Sequence, residues 1–242
     1  MADSSSPPSV TVILPTYEEV TNLPLIVFLI DKHLSAAGVS YQVLIVEDSS
    51  PDGTMAVALR LQKVFPGRVR VFKRAGKLGL GSAYMDALKF VKSEFVVLMD
   101  ADMSHHPKEI PVMLKRQLET GCDIVTGTRY RLGGGVLGWD LRRKLTSRVA
   151  NFLATLVLSP GASDLTGSFR LYKRDVLEDV LKTVKSKGYV FQMEVIVRAD
   201  KMGYSIEEIP ISFVDRIHGA SKLGAGEIVQ YLKGMGMLFF EF

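Results

Sequence analysis

The order of short strand-like runs and helical stretches is what most limits the folds open to this chain. Val10 to Leu14 and Tyr41 to Val46 are β-branched runs, separated by a helical stretch that begins near Asn22, carries Pro24 in its first turn and stops at Gly38. Further runs at Val69 to Phe72, Phe95 to Met99 and Asp123 to Gly127 alternate with helical patterns at Thr54 to Val64, Ser82 to Val91 and Pro107 to Glu119. Neighbouring parallel strands need crossover helices of this kind, so the pattern predicts an α/β fold with a mostly parallel central sheet covered by helices on both faces. Such sheets bind ligands beyond the carboxyl ends of their strands. After Thr128 the order loosens. Arg129 to Trp139 is rich in Gly and Arg, helices are expected at Leu141 to Leu158, Arg174 to Lys185 and Val190 to Met202, and one last strand is expected at Ser205 to Phe213.

With 47% hydrophobic and 23% charged residues, 242 residues fill one globular domain and exclude disorder for the bulk of the chain. The single cysteine, Cys122, rules out a disulfide scaffold and reads as a small buried hydrophobe in a reducing compartment. Thirty Lys and Arg against 26 Asp and Glu leave a formal charge of +4. That suits polyanionic small molecules or an anionic membrane surface and falls short of a nucleic-acid signature, so no nucleic-acid partner is expected. Mean hydropathy is +0.18, yet the longest apolar stretches, Leu23 to Ile30 and Gly234 to Phe240, are well short of the roughly 20 residues that cross a bilayer. Residues 1–9 carry neither the basic nor the apolar segment of a secretory signal and read as a disordered lead.

Four predicted strands end in polar clusters: Pro15-Thr16-Tyr17-Glu18-Glu19, Glu47 to Gly53, Asp100-Ala101-Asp102 and Thr128-Arg129-Tyr130. Any one of them is explained by helix caps and turns. The Asp-x-Asp pair is more specific: in an extended segment alternate residues project to one side, where two carboxylates suit a hard divalent ion and a diphosphate bridged by it. Asp102 is read as an unpaired carboxylate at a strand end. Gly79-Leu80-Gly81 begins like a dinucleotide fingerprint but has Tyr84 at its third glycine position, and Gly76-Lys77 is followed by Leu78, so neither that motif nor a P-loop is present. Adjacent His105 and His106 tend to diverge and lack a third spaced N or S ligand, which argues against zinc.

In this order the clusters resemble the GT-A glycosyltransferases of glycosyltransferase family 2, within it the dolichyl-phosphate mannosyltransferases, in the form of their eukaryotic catalytic subunit. The strings that carry the resemblance are PTYEE, SSPDGT, KLGLGSAY, MDADMSHHP, GTRY, GWDL, DLTGSFRLY, SKGYVFQMEVIVRA and ISFVDRIHGASKLG, spread over about Val10 to Leu232. DLTGSFRLY and FVDRxxGxSKLG are the family-specific ones. The resemblance implies a GT-A, Rossmann-like domain at 10–226 and a C-terminal amphipathic or apolar helix at 227–242 for membrane or subunit contact. It also implies that Pro15, Tyr17, Glu19, Val46 and Asp48 line a nucleoside pocket. Asp100, Ala101 and Asp102 would face a diphosphate and its Mg²⁺ or Mn²⁺, with Ser104 beside the metal. Arg129, Arg216 and Lys222 match positions that handle phosphate charge, and Arg143 and Ser147, with Arg129, those near the acceptor phosphate. Two departures stand out: Glu18 replaces the family's usual Asn, and Glu47-Asp48-Ser49-Ser50 replaces Asp-Asp-Gly-Ser, which puts a Cβ in a turn that favours positive φ.

The reaction so implied is inverting transfer of mannose from GDP-mannose to dolichyl phosphate, catalysed through Asp100, Asp102, Arg129, Arg143 and Arg216. A phosphate monoester, with its second pKa near 6, is already a charged nucleophile, so no general base is obligatory. The same resemblance implies a peripheral place on the cytosolic face of the endoplasmic reticulum membrane, held by small membrane-anchoring subunits. Basic residues along Arg142 to Arg148 add attraction for anionic lipid, on the order of 1 kcal/mol each. Of the apolar candidates for membrane contact, Met235 to Phe242 is preferred, and Leu153 to Leu158 reads rather as a core-facing stripe. A dolichyl-phosphate glucosyltransferase using UDP-glucose and a non-catalytic nucleotide-binding subunit remain as alternatives.

Overall fold

The computed structural model describes residues 7–158, 161–188, 190–215 and 225–241. Seven strands form the central sheet in the order β3-β2-β1-β4-β7-β5-β8: β1 Ser9–Thr16, β2 Ser40–Glu47, β3 Val69–Lys73, β4 Phe95–Leu98, β5 Ile124–Thr128, β7 Arg170–Lys173 and β8 Ile206–Pro210. All pair in parallel except β7, which runs antiparallel to both β4 and β5. A small second sheet pairs β6 (Gly135–Leu137) with β9 (Ser212–Val214).

Side chains alternate between two cores, as the period of two along a strand requires. Val12, Leu14, Ile45 and Val97 face helices α1 (Leu23–Ala36), α2 (Thr54–Val64) and α4 (Glu109–Thr120). Ile13, Leu44, Val46 and Leu98 face α3 (Leu80–Leu88), α5 (Leu141–Leu158), α6 (Arg174–Thr183), α7 (Phe191–Lys201) and α8 (Ala225–Glu241). Both faces are therefore covered, as the alternation of elements implied.

Three expectations need correction. The predicted last strand is two strands. Pro210 ends β8, and beyond it the chain leaves the main sheet to pair with β6, with Ile211 plugged against Gly127, where a Cβ would lie 2.8 Å from Ile211 Cδ1. Strand β7 is absent from the sequence reading because four residues with a basic side chain at each end carry no alternation signal. Along α5, Ala154 and Leu158 are buried, but Phe152, Leu153 and Leu156 are exposed, so Leu153 to Leu158 is only half a core stripe.

The C-terminal helix is also two-sided. Tyr231 and Leu238 are buried in the same core as α5 to α7, and Gly234 fits so closely that a Cβ would lie 2.3 Å from Val190 Cγ1. At its end Glu241 accepts from Lys185 Nζ and Arg198 Nη2, each at 2.8 Å. Arg198 Nε in turn donates to the buried Glu194 at 2.7 Å. Met237, Phe239 and Phe240 point outward.

Candidate active site

The antiparallel strand explains how the site is assembled. Because β7 runs against β4 and β5, its starting end lies beside their carboxyl ends, and the loop 164–169 that precedes it is threaded between the Asp100 and Arg129 clusters. Ser168 Oγ donates to Asp100 Oδ2 at 2.7 Å. On the other side, Asp164 receives Arg129 through Nε at 2.7 Å, Nη2 at 2.6 Å and the Arg129 amide at 3.1 Å. Thr166 Oγ1 accepts a further Nη2 bond at 2.6 Å. Asp164 is wholly buried. Burial alone would push its carboxyl up, but the Arg129 guanidinium more than reverses this and holds it below the ordinary carboxylate range.

Arg170 fastens the loop from below. Its side chain is fully buried, and its guanidinium donates to the carbonyls of Gln192 at 2.6 Å and Leu165 at 3.1 Å. Above the pair, the Arg129 guanidinium lies 5.3 to 5.6 Å from the rings of Tyr130, Trp139 and Phe213. The small β6–β9 sheet delivers the last two of these rings, which is the structural use of the Gly- and Arg-rich segment.

Residues 100–104 bend rather than extend, with Met103 at φ +66°. Asp102 is therefore not the unpaired strand-end carboxylate expected: its Oδ1 accepts from Ser104 N at 3.1 Å and Ser104 Oγ at 2.5 Å. Ser104 thus orients Asp102. The two histidines diverge as expected. His105 is buried, its ring stacked on Phe169 at 5.0 Å and edge-on to Phe213 at 5.4 Å, while His106 meets His33. Burial lowers the His105 pKa, in keeping with Nδ1 accepting from the Asp100 amide.

Among the described residues no group of three His, Cys, Asp or Glu side chains forms a ready-made metal cage. The donor set is instead two hard carboxylates, the partly exposed Asp100 and the buried Asp102. This fits Mg²⁺ or Mn²⁺, which bind through one or two carboxylates and complete their shell with substrate phosphates and water.

Farther along the same sheet edge, the end of β2 forms a tight turn. Both oxygens of the buried Glu47 accept turn amides, from Ser49 at 3.0 Å and Ser50 at 2.6 Å, so the longer side chain acts as a brace. Ser49 sits at φ +54° and Glu18 at φ +59°, the left-handed region where the family's Gly and Asn are at ease. Asp48 is held by Arg74 Nη1 at 2.9 and 3.2 Å, and Arg74 Nη2 donates to Ser82 Oγ at 2.5 Å. Burial raises the Asp48 pKa against the pull of Arg74. Lys77 covers the Tyr17 ring at 4.7 Å. Glu19 accepts from Asn22 Nδ2 at 2.7 Å, which fixes the chain after Pro15. Val46 is wholly buried in the core, and Ala101 nearly so.

Beside Trp139, Arg143 Nη1 reaches both oxygens of Asp215 at 3.2 Å and its guanidinium lies 4.2 Å from the Trp139 ring. Ser147 Oγ pairs with the Tyr130 hydroxyl at 2.7 Å. Arg129, Arg143 and Ser147 therefore gather around Tyr130 and Trp139. Arg216 and Lys222 lie outside the described residues. A cavity of about 240 Å³ opens here, walled by Arg129, Tyr130, Trp139, Lys144 and Arg148.

The chain matches Glycosyl transferase family 2 over residues 11–181. It belongs to that family. It is 42% identical over 221 residues to a polyprenol monophosphomannose synthase of Mycolicibacterium smegmatis, covering 90% of this chain and 82% of the relative. An undecaprenyl-phosphate mannosyltransferase of Micrococcus luteus is 35% identical, covering 90% and 88%. Among solved structures, a mannosyltransferase from Pyrobaculum calidifontis in complex with GDP-Man and Mn²⁺ superposes with a TM-score of 0.71 at 20% identity, covering 98% of this chain and 66% of that one. That likeness establishes the GT-A fold. The family 2 strings now have physical roles: the Asp164-to-Tyr172 motif supplies the ligand of Arg129, the partner of Asp100 and the antiparallel strand itself.

Several site residues escaped the sequence reading. Arg74 follows directly on β3, so inspecting the end of that strand like the other four would have found it. Asp164 and Ser168 lay in a motif quoted without a role. Trp139 lay in a string quoted without a role, and Lys144 and Arg148 were read only as part of a basic run.

Two outcomes follow from these ion pairs. Arg74→Met leaves Asp48 buried without its partner, and should cost about 3 kcal/mol in denaturant melts and weaken nucleotide binding at least about ten-fold by calorimetry; unchanged nucleotide affinity would remove Arg74 from the donor pocket. Asp164→Asn should cost about 3 to 5 kcal/mol at neutral pH. Because the folded-state pKa of Asp164 is lowered, its contribution is complete above the unfolded carboxyl value of about 3.9 and is lost as the pH falls below it. The stability difference between parent and variant should therefore shrink below about pH 4, and a pH-independent difference would contradict the assignment.

Proposed function

We propose that this chain transfers mannose from GDP-mannose to dolichyl phosphate with inversion, giving dolichyl β-D-mannosyl phosphate and GDP. The observation that carries this reading is the threading of loop 164–169 between the Asp100–Asp102 carboxylates and the Arg129 cavity, which sets a diphosphate-type site beside a basic one. The similarity to enzymes named for polyprenol phosphate and undecaprenyl phosphate supports the acceptor class. The fold likeness to a GDP-Man complex supports the donor.

In this mechanism Asp48, fixed by Arg74, and Tyr17, under Lys77, bind the nucleoside. Asp100 and Asp102, oriented by Ser168 and Ser104, hold a divalent cation, which supplies charge compensation for the diphosphate leaving group. The acceptor phosphate enters the basic cavity as a ready nucleophile. Arg129 and Arg143 fix its oxygens, and the surrounding aromatic rings exclude water and strengthen those contacts. Asp164 and Asp215 keep both guanidiniums in place when the cavity is empty.

Among the described residues no helix is long and apolar enough to cross a membrane. We assign the outer face of α8, with Met237, Phe239 and Phe240, to small membrane-anchoring subunits on the cytosolic face of the endoplasmic reticulum. Removing the whole end of the helix is a poor test, because Leu238 and Glu241 hold α8 to the core. Phe239→Ser with Phe240→Ser spares both, and should lower the microsome-bound fraction without lowering the melting temperature; an unchanged fraction would refute this anchoring face.

For the reaction itself, radiolabelled GDP-mannose should yield a mannosyl lipid in the presence of Mg²⁺ or Mn²⁺ and none with excess EDTA. Asp102→Asn should reduce turnover by about 10²- to 10³-fold, the usual effect of losing one preorganised electrostatic contact. Incorporation from UDP-glucose instead would assign a glucosyl donor. Tight GDP binding without lipid product would make the chain a nucleotide-binding subunit.

A further inference from the structure

Glu194, in the first turn of α7, is a fully buried carboxylate to which the mechanism gives no task. Its Oε1 accepts the Lys185 amide at 2.9 Å and Arg198 Nε at 2.7 Å, and its Oε2 accepts the Ser186 amide at 2.8 Å. Burial would raise its pKa, but hydrogen bonds from Ser186, Lys185 and Arg198 outweigh this and hold the carboxyl below its ordinary range. What this charged clamp holds is the turn 185–188. Glu241, at the end of α8, braces the same turn from outside through Lys185 Nζ and Arg198 Nη2. On its other side the turn carries the segment that leads into α3. The Gly81 amide donates to the Lys187 carbonyl at 3.0 Å. A Cβ at Gly79 would lie 2.6 Å from that same oxygen and one at Gly81 2.9 Å from the Ser186 carbonyl oxygen, so the two backbones meet where only glycine fits. Gly79-Leu80-Gly81, which only imitates a dinucleotide fingerprint, is thus the seam between turn and loop.

The residues assigned to the nucleoside hang on this seam. Lys77 Nζ, one residue before Leu78, lies over the Tyr17 ring. Ser82 Oγ donates between the Leu78 and Gly79 carbonyls, each at 2.8 Å, and accepts from Arg74 Nη2, while Arg74 Nη1 holds Asp48. We propose that Glu194 is a positioning residue for the nucleotide-sugar end of the site: by fixing the turn 185–188 it seats the segment 77–82, and through that segment it places Tyr17, Arg74 and Asp48. Being fully buried, it acts through these contacts. Every link is a backbone contact, a ring contact or a hydrogen bond in a closely packed region, which leaves little slack to absorb a shift at one end. The basic cavity is braced separately, by Asp164 on Arg129 and Asp215 on Arg143, so the effect is confined to one substrate. The proposal deepens the reading of Asp48 as a nucleoside contact and rests on it.

Glu194→Gln keeps the shape of the side chain but replaces one accepting oxygen with an amide that can only donate. In the full-length variant, GDP affinity by calorimetry should fall at least about ten-fold, the scale on which supports behind a ligand group act. The KM for GDP-mannose should rise in step, while kcat and the KM for polyprenyl phosphate stay within about three-fold of the parent. Hydrogen exchange reads the seat itself: without nucleotide, the Gly81 amide should lose protection in the variant. Asp123→Asn controls for lost stability as such. Asp123 ties Lys173 to Ser205 at the opposite end of the sheet, so its loss should lower the melting temperature and leave GDP affinity at the parent's value. If Glu194→Gln yields no folded protein, Glu241→Ala removes only the outer brace and should give the same pattern at about three-fold, the scale of a partly exposed ion pair. Affinity and Gly81 protection falling together support the proposal. Either one remaining like the parent overturns it, as does equal weakening of both substrates or the same affinity loss in Asp123→Asn. A parent that does not bind GDP removes the reading of function instead, and exchange at Gly81 alone then decides whether Glu194 seats the loop.

Discussion

The buried pair of Arg129 and Asp164 joins two segments that the chain brings together from 35 residues apart. Neither charge could be buried alone: an uncompensated ion in a medium of low dielectric costs several kcal/mol, and removing one partner leaves that cost in full. Three hydrogen bonds from Arg129 to one carboxylate, and a fourth to Thr166, satisfy the pair. Because loop 164–169 is fixed there, β7 must enter the sheet backwards, and Ser168 arrives at Asp100. The carboxylate cluster, the basic cavity and the antiparallel strand are consequences of one another.

The turns after β1 and β2 obey a different logic. Two non-glycine residues, Glu18 and Ser49, occupy left-handed backbone, each at a cost of about 1 to 2 kcal/mol. Hydrogen bonds between backbone and serine hydroxyls hold them there: the Glu18 amide donates to Ser50 Oγ, and the Ser49 hydroxyl donates to the Arg74 carbonyl. The first two turns are thereby knitted to each other and to the end of β3, and Arg74, delivered by that strand, aims Asp48. Strain here is offset by the turn network, which makes this corner of the sheet rigid.

Two helices show why burial has to be read face by face. Both α5 and α8 pack one side on the same core and leave large apolar side chains outside. Helix α8 is held by close contact at Gly234 and by the Glu241 clamp, features of a fixed element rather than a loose tail. Helix α5 is held by polar threads to the loop before β7, Asn151 Oδ1 accepting the Leu165 amide, and to the segment after β5, Ser147 meeting Tyr130. An outward face on a fixed helix is a surface with a defined orientation relative to the cavity, which a flexible hydrophobic tail would not provide.

The sequence by itself determined the layered α/β architecture, since strand and helix periods are local properties that side-chain spacing states directly. Helices α2 and α5 begin and end where their patterns and flanking turn residues put them. It also identified the DxD carboxylates, because a carboxylate pair beyond a buried strand has a narrow range of chemical uses. What it left undecided depended on partners distant in the chain. Asp102 looks unpaired until the bend at Met103 brings Ser104 back to it. Arg129 looks like a free phosphate ligand until Asp164 is seen beneath it. An outward and an inward leucine on α5 have the same local pattern. Only the tertiary structure, by inserting β7 backwards and turning one apolar stripe to solvent, decided which charges neutralise each other and which surfaces remain exposed. Periodicity encodes which residues share a face, whereas the direction that face takes is set by what else in the chain competes to cover the core.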